Sequence, residues 1–318
     1  MVNIISKTKK KPRQSIEFFD WAHQEINRNI YKWVGREDSE EIFLSAMDGG
    51  LMSVIYEIVQ PTDLNLIIKI QDQDSPYGDV LAESVCNELD LNTPKIYYHE
   101  VVPSSNAIYV IEVIEKMDIP LLSDYYSKTQ DLSIIIKLGE SIRILNSKYT
   151  NGFGFFKHKN LKGEFSTSQK LLSKAFLNKG IVRSNIQSGN FNRKEVDRFK
   201  KKVKDFKFES SSYFCHGDIH LDNCFYDSSK KQIYLYDFNP RGASKMYDLA
   251  YFKLKSLARG EKDVWESFIQ GYGEENIDEK EMDVIVNCMA FRKCSHWSDN
   301  MESKKFKWVY REVKEFLS

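Results

Sequence analysis

The sequence predicts an α+β chain with two unequal lobes: a small N-terminal lobe with an antiparallel sheet plus one helix, and a larger, mostly helical C-terminal lobe. Strand-like segments separated by turn residues are concentrated between residues 41 and 114. Helical periodicity dominates after residue 120, where one short polar hairpin interrupts it. A chain of 318 residues is long enough for two lobes, which we place at 1–114 and 115–318.

The amino-acid composition argues against several classes of function. Lysine plus arginine and aspartate plus glutamate number 46 each, so no overall charge favours nucleic acid. No apolar run reaches the ~18–20 residues of a membrane span, and the basic N-terminus lacks the apolar core of a signal peptide. Five scattered cysteines without a C-x-x-C pair argue against zinc and against a disulfide framework. We therefore expect a cytoplasmic protein, a monomer or weak dimer, that binds neither nucleic acid nor membrane.

The N-terminal lobe opens with an amphipathic helix and continues in strands. Apolar residues at spacings of three and four predict the helix over 15–34, ending near Gly35. Strands are predicted at 42–44, 51–59, 64–70, 95–101 and 107–114. The glycine pair Gly49-Gly50 lies in the first turn, where backbone amides without a neighbouring Cβ could approach phosphate oxygens. Hairpins also use such pairs for turn geometry alone.

A lysine and an acidic helix follow this turn. Lys69 ends the apolar run of the third strand, and a helix is predicted over 77–90. Glu83 lies off the apolar stripe of this helix and is therefore free to reach the lysine. Glu88 is the alternative partner.

The C-terminal lobe is predicted from helical periodicity. Helices are expected at about 131–148, 166–178, 191–206, 245–258, 261–272, 278–296 and 301–316. The stretch 193–207 is basic, and a solvated helix face explains it better than a nucleic-acid patch.

The chemistry is concentrated in the stretch from Cys215 to Asn223 and the Asp237 that follows. Asp218 stands five residues before Asn223 and nineteen before Asp237. An aspartate that accepts a hydroxyl proton, with an asparagine and a second aspartate that hold Mg²⁺, is the arrangement of a kinase catalytic loop. A short apolar piece, a polar turn and a strand predict a hairpin that ends at Asp237.

The motifs resemble those of the aminoglycoside phosphotransferase and choline kinase superfamily. H-G-D-I-H-L-D-N at 216–223, Y-D-F at 236–238 and Y-D-L-A at 247–250 occur in the order typical of that superfamily. The resemblance implies a protein-kinase-like bilobal fold. It also implies a kinase that uses ATP or GTP with Mg²⁺ and phosphorylates a hydroxyl group of a small-molecule acceptor, such as an antibiotic or a metabolite.

The resemblance also implies roles for individual residues in catalysis. Asp218 would be the catalytic base, while Asn223 and Asp237 would be the metal ligands. His216 would brace the loop.

A second set of residues would bind the nucleotide. Lys69 would bind the α- and β-phosphates and pair with Glu83. Gly49, Gly50 and Ser53 match a G-G-x-x-S turn over the phosphates. The Glu112 carbonyl and the Ile114 amide would meet the adenine edge.

The chain departs from this pattern at two places. Asn146 follows Leu145 where members of the superfamily have a histidine, and Asn239 stands where many carry an acidic residue. The acidic joint 274–283 could contact a cationic acceptor, or it could place negative charge at a helix start, which the helix macrodipole favours.

Two other functions remain open from the sequence. A nucleotide-binding module without turnover, serving as a docking protein, is one. A protein kinase is the other, although the A-P-E motif that ends its activation segment is absent.

Overall fold

The N-terminal lobe is built on one sheet, seen in a computed structural model that describes residues 2–6, 15–37, 39–47, 53–61, 63–72, 75–103, 108–296 and 302–318. Its strands are β1 (Val2–Ser6), β2 (Ile42–Ala46), β3 (Ser53–Gln60), β4 (Leu66–Asp72), β5 (Ile96–Pro103) and β6 (Ile108–Glu115). Within these described ranges the six strands lie in the order β1-β2-β3-β4-β6-β5, and only β1 pairs in parallel with its neighbour. Strand β1 was not predicted, because we assigned the basic N-terminal stretch no element.

Helix α1 (Ile16–Val34) covers one face of the sheet, as its periodicity predicted. The Ser15 hydroxyl accepts a hydrogen bond from the Phe18 amide at its start, and Gly35 ends it in the left-handed conformation. Its buried residues are Phe18, Ala22, Ile26, Ile30 and Trp33. They share one hydrophobic cluster with the strands, so this side of the sheet is a closed core.

The opposite face of the sheet carries a small apolar group beside a lysine. Ile55, Ile67 and Ile114 form a separate buried cluster on this face. Lys69 follows Ile67 by two positions on β4 and therefore points to the same side. This face is directed toward the C-terminal lobe.

The C-terminal lobe is mostly helical. Its helices are α2 (Gly78–Glu88), which packs into it from the N-terminal lobe, then α3 (Leu122–Thr129), α4 (Ser133–Leu145), α5 (Ser168–Phe176), α6 (Lys179–Gln187), α7 (Arg193–Asp205), α8 (Met246–Arg259), α9 (Lys262–Tyr272), α10 (Glu279–His296) and α11 (Lys304–Leu317). Its strands are β7 (Tyr149–Thr150), β8 (Gly154–Phe155), β9 (Ser212–Cys215), β10 (Cys224–Asp227), β11 (Gln232–Leu235) and β12 (Arg241–Ala243). Strands β10 and β11 form the predicted hairpin, and the others form a small sheet in the order β7-β9-β12-β8.

The predicted α+β bilobal fold is confirmed, with two helices that the sequence did not indicate. Helix α3 is short, and α6 follows α5 after only two residues, so neither gives a clear apolar period of its own. None of the helices in the described ranges is both long and apolar enough to cross a membrane.

Helices α4 and α9 cross closely because each has a glycine at the contact. A Cβ on Gly271 would overlap the carbonyl oxygen of Ile136, and a Cβ on Gly139 would overlap the carbonyl oxygen of Phe268. The backbones of the two helices therefore approach at positions where only glycine fits.

We expect Gly271→Ala to lower the free energy of unfolding by about 2–4 kcal/mol, because the added methyl must separate two packed helices. Denaturant unfolding of the purified variant measures the change. Gly180→Ala in α6 is the control, since its Cβ would meet only the Asn178 side chain, at 3.3 Å. We expect that control to change stability by less than about 1 kcal/mol. Equal effects of the two substitutions would contradict the close crossing.

Candidate active site

A buried carboxylate on α8 holds the predicted catalytic loop. Asp248 is fully buried, and its two oxygens accept hydrogen bonds from the amides of His216 (2.8 Å) and Gly217 (2.9 Å). Both bonds are charge-assisted and lie in the protein interior, where such bonds are strong. The loop that follows β9 is therefore fixed to the first turn of α8.

Asn146 completes this anchor at the position where the superfamily pattern has histidine. Its amide nitrogen donates to an Asp248 oxygen (3.0 Å) and to the Phe214 carbonyl (3.0 Å). The Tyr272 hydroxyl donates to its amide oxygen at 3.4 Å. The departure from the pattern thus keeps a hydrogen-bond donor on Asp248.

Gly217 is required by the geometry of the loop. Its φ is 82°, in the left-handed region, and a Cβ at this position would overlap the carbonyl oxygen of Asn239. The Asn239 amide also donates to the His216 carbonyl at 2.9 Å. The glycine therefore lets the segment after Asp237 pack directly on the catalytic loop.

His216 is a brace and has no free nitrogen for catalysis. Its Nε2 lies 3.1 Å from the Tyr236 carbonyl, and its Nδ1 lies 3.4 Å from the Asp218 amide. A neutral ring that donates from Nε2 and accepts at Nδ1 satisfies both contacts. Burial lowers the pKa of His216, which favours this neutral form. The ring also stacks on Phe238, with centroids 4.3 Å apart.

Asp218 and Asn223 lie together at the mouth of the cleft. The Asn223 amide nitrogen donates to the Asp218 backbone carbonyl at 2.8 Å, which turns its amide oxygen away from that contact. The Asp218 side chain remains 34% exposed. Burial and the neighbouring Asp218 carboxylate raise the pKa of Tyr251 well above its ordinary value, so the tyrosine next to the aspartate stays protonated.

Asp237 faces Lys69 across the two lobes. Lys69 Nζ lies 2.9 Å from Asp237 Oδ1, and the lysine side chain is only 3% exposed. Burial acts to lower the pKa of Lys69, but the carboxylates of Asp237 and Asp79 hold it well above its ordinary value. Asp237 has a φ of 51°, an uncommon conformation for a residue other than glycine. Strain of this kind is concentrated at functional sites.

The donor set suits magnesium. Mg²⁺ prefers oxygen ligands and is often held by one or two carboxylates together with substrate phosphates. Asn223 supplies an amide oxygen, and the Asp237 side chain is 43% exposed with one oxygen engaged by Lys69. No group of three or more His, Cys, Asp or Glu side chains in the described ranges could hold a metal without such phosphates.

The structure corrects the predicted partner of Lys69. Asp79, in the first turn of α2, lies 3.5 Å from Lys69 Nζ, whereas Glu83 accepts a hydrogen bond from the Ile96 amide at 3.1 Å. Glu88, the alternative, pairs with Lys148 at 2.6 Å. The reason is the position of α2, which begins at Gly78 and brings its first turn over β4. The apolar pattern predicted which face of this helix is buried, but it did not predict where the helix lies along the sheet.

The predicted adenine contacts of Glu112 and Ile114 stay a prediction, and the strand pairing of their backbones bears on them. Strand β6 lies between β4 and β5, so both residues pair with a strand on each side. The amides of Glu115 and Lys116 are also engaged, by the carbonyls of Lys95 and Asn65. A free backbone edge therefore begins only after Lys116.

The side chains of these two residues nevertheless border the cleft. Ile114 borders a small cavity together with Lys69 and Asp237. Glu112 is buried opposite Lys69 on the neighbouring strand. Burial and the Asp79 carboxylate raise its pKa well above the ordinary value, although Lys69 acts in the opposite direction.

The glycine turn lies partly outside the described residues. Gly49 and Gly50 fall there, so their predicted role stays a prediction. Ser53 is described, begins β3 and is buried opposite Gln71 of β4.

The acidic joint forms the start of a helix. Asp278 accepts a hydrogen bond from the Glu281 amide at 3.0 Å, which is a helix cap, and Glu281 is buried against the Glu209 amide (2.9 Å). The joint lines an open groove with Lys245 and Met246, at the beginning of α8. The helix-start interpretation therefore fits the structure better than the acceptor wall.

Comparison with solved structures identifies the fold. No protein-family model matches the chain, and no curated protein matches its sequence. A thermostable mutant of aminoglycoside phosphotransferase APH(4)-Ia, in complex with ADP and hygromycin B, is similar at a TM-score of 0.62 and 10% identity, over 92% of this chain and 98% of the other. Choline kinase LicA from Streptococcus pneumoniae gives 0.58 and 15% over 93% and 99%. Spectinomycin phosphotransferase APH(9)-Ia, with ADP and spectinomycin, gives 0.54 and 14% over 92% and 93%.

The chain shares the fold of these three solved structures. At such low identity the likeness concerns the backbone, and the side chains described above are what this chain places on that fold.

In this kinase fold we expect Asp248→Asn to lower the free energy of unfolding by about 2–3 kcal/mol, because an amide nitrogen would face the loop amides and the charge would be lost. Chemical denaturation measures the change. Asp283→Asn is the control, since Asp283 is 57% exposed and forms an ion pair with Lys253 at 2.9 Å. We expect it to cost less than about 1 kcal/mol. A cost for Asp248→Asn no larger than for the control would contradict the anchor.

Proposed function

We propose that the chain is a kinase that transfers the γ-phosphoryl group of ATP or GTP to a hydroxyl group of a small molecule. The observation that carries the proposal is the ion pair of Lys69 with Asp237, at 2.9 Å. It brings a lysine of the N-terminal sheet against the aspartate of the Y-D-F motif, next to the loop that holds Asp218 and Asn223. In this proposal one cleft holds a cation for the phosphates, two metal ligands and a proton acceptor.

The N-terminal lobe would bind the nucleotide. Ile55, Ile67 and Ile114 offer an apolar surface for the base on the same sheet face as Lys69. The chain after Lys116 offers the first free backbone groups for the base edge. Lys69 would exchange its contact with Asp237 for phosphate oxygens, while Asp79 keeps its ammonium in place.

The C-terminal lobe would bind the metal and the acceptor. The Asn223 amide oxygen and the Asp237 carboxylate would hold Mg²⁺, which when bound would neutralise charge on the phosphate oxygens. Asp218 would accept a hydrogen bond from the attacking hydroxyl and then take its proton. The acceptor oxygen forms a bond to the γ-phosphorus, the bond from that phosphorus to the β–γ bridging oxygen breaks, and ADP or GDP leaves. Positioning and charge neutralisation account for most of the catalysis in such a reaction.

We expect magnesium nucleotide to raise the melting temperature, because a ligand that binds only the native state stabilises it. Asp79→Asn should weaken nucleotide binding about tenfold, since Lys69 would lose a carboxylate that positions it. Calorimetry with Mg-ATP and Mg-GTP measures the affinity.

Glu83→Gln is the matched control on the same helix. Its contact is to the Ile96 amide, which glutamine can keep, so nucleotide affinity should change less than about threefold. A larger loss in Glu83→Gln than in Asp79→Asn would restore the partner predicted from the sequence. The absence of any heat or melting shift with either nucleotide would reject the proposed function.

We expect Asp218→Asn to keep the fold and to lose at least ~10³ in turnover, the order of effect when a positioned catalytic group is removed. Release of ADP or GDP in a screen of hydroxylated small molecules measures turnover, and circular dichroism monitors the fold. Turnover in the variant close to that of the wild type would reject Asp218 as the base. Nucleotide binding with no turnover on any acceptor would favour the docking module instead.

A further inference from the structure

One face of α8 runs along the catalytic loop and carries two cations. Tyr251, Lys255 and Arg259 follow one another at intervals of four residues and therefore lie on the same side of the helix. Tyr251 neighbours the Asp218 carboxylate, and Arg259 lies 3.5 Å from the Asp222 carboxylate of the same loop. Lys255 stands between them.

Lys255 is half-buried without a carboxylate partner. Its ammonium lies 5.3 Å from the centre of the Tyr251 ring, and it forms no ion pair with any carboxylate in the described part of the chain. Burial lowers its pKa, which the Asp218 carboxylate opposes and Arg259 reinforces. An ammonium that is partly withdrawn from water and forms no ion pair is suited to a bound anion.

The carboxylate of Asp222, by contrast, is already engaged. His220 Nδ1 lies 3.3 Å from it on one side and Arg259 on the other. Lys305 of α11 adds positive charge near Lys255. The acidic joint lies near Met246, nine residues before Lys255, or about 13 Å along the helix. The surface beside Asp218 therefore carries a cation, Lys255, that forms no ion pair with the described residues.

We infer that the acceptor carries an anionic group, a carboxylate or a phosphate, that binds Lys255 while its hydroxyl group faces Asp218. The inference rests on the proposed kinase function and names the substrate class of that site. An oxyanion at this point could also be the transferred phosphoryl group of the nucleotide, so the experiment must separate the two sources.

The test uses acceptors that share hydroxyl groups and differ in charge. Glycerol, glycerate, glycerol 3-phosphate and 3-aminopropane-1,2-diol form one set; glucose, glucose 6-phosphate and glucosamine form another. Calorimetry in the presence of Mg-ADP measures their binding to the wild type and to Lys255→Met. Lys253→Met is the matched control, because Lys253 lies on a different side of α8 and pairs with Asp283 at 2.9 Å.

We expect an anionic member of a set to bind the wild type at least about tenfold more tightly than the neutral and cationic members, as a charge-assisted contact provides. Lys255→Met should abolish this preference, and Lys253→Met should keep it. Equal binding of all members, tighter binding of a cationic member, or a preference that survives in Lys255→Met would overturn the inference.

Nucleotide hydrolysis by water, without an acceptor, separates the two sources of the anion. Lys255→Met should reduce turnover of an anionic acceptor at least about tenfold more than it reduces this hydrolysis rate. An equal loss with and without acceptor would assign Lys255 to the transferred phosphoryl group and overturn the inference. If Mg-ADP binds but no anion preference is found, only this inference falls. If Mg-ADP does not bind, the proposed function fails and the inference falls with it.

Discussion

The geometry of the candidate site depends on the buried carboxylate of Asp248. This carboxylate is fully buried, and it accepts hydrogen bonds from two backbone amides of the catalytic loop and from the side-chain amide of Asn146. Removing such an acceptor leaves buried donors unsatisfied, which costs more than the bonds themselves contribute. Because Asp248 belongs to α8, the same contact fixes the loop relative to Tyr251 and Lys255 farther along that helix. The loop that carries Asp218 and the face of α8 that carries Tyr251 and Lys255 are therefore aligned by one side chain.

A second constraint acts on Asp237, in the segment that follows the β10–β11 hairpin. His216 stacks on Phe238, and the Asn239 amide closes on the His216 carbonyl, so Asp237 is held between two fixed points. Its left-handed backbone is tolerated because the contacts on both sides determine it. The result is a carboxylate aimed at Lys69 and not at the solvent side of the hairpin. Asp237 and Lys69 therefore face each other directly, 2.9 Å apart.

The sequence predicted the fold and the β10–β11 hairpin because both depend on local patterns. The order and spacing of Asp218, Asn223 and Asp237 reflect a loop and a hairpin that are contiguous in the chain. The partner of Lys69 depends on where α2 sits along β4, which no periodicity specifies, so Asp79 was missed. The two-sided pairing of β6 likewise follows from strand order, which is a tertiary property. Lys255 was not predicted as a site residue, since an isolated lysine on a helix is ordinarily solvated.

The two lysines explain how such a cleft could bring two anions together. A triphosphate and an anionic acceptor about 6 Å apart repel by roughly 3 kcal/mol per pair of unit charges at an effective dielectric constant of 20. Lys69 lies on β4 beside Asp237, and Lys255 lies on α8 beside Tyr251. In the proposed complex each would offset the charge of one reactant. With Asp79 and Asp237 already paired to Lys69, Lys255 is the cation whose counter-charge the second reactant would supply.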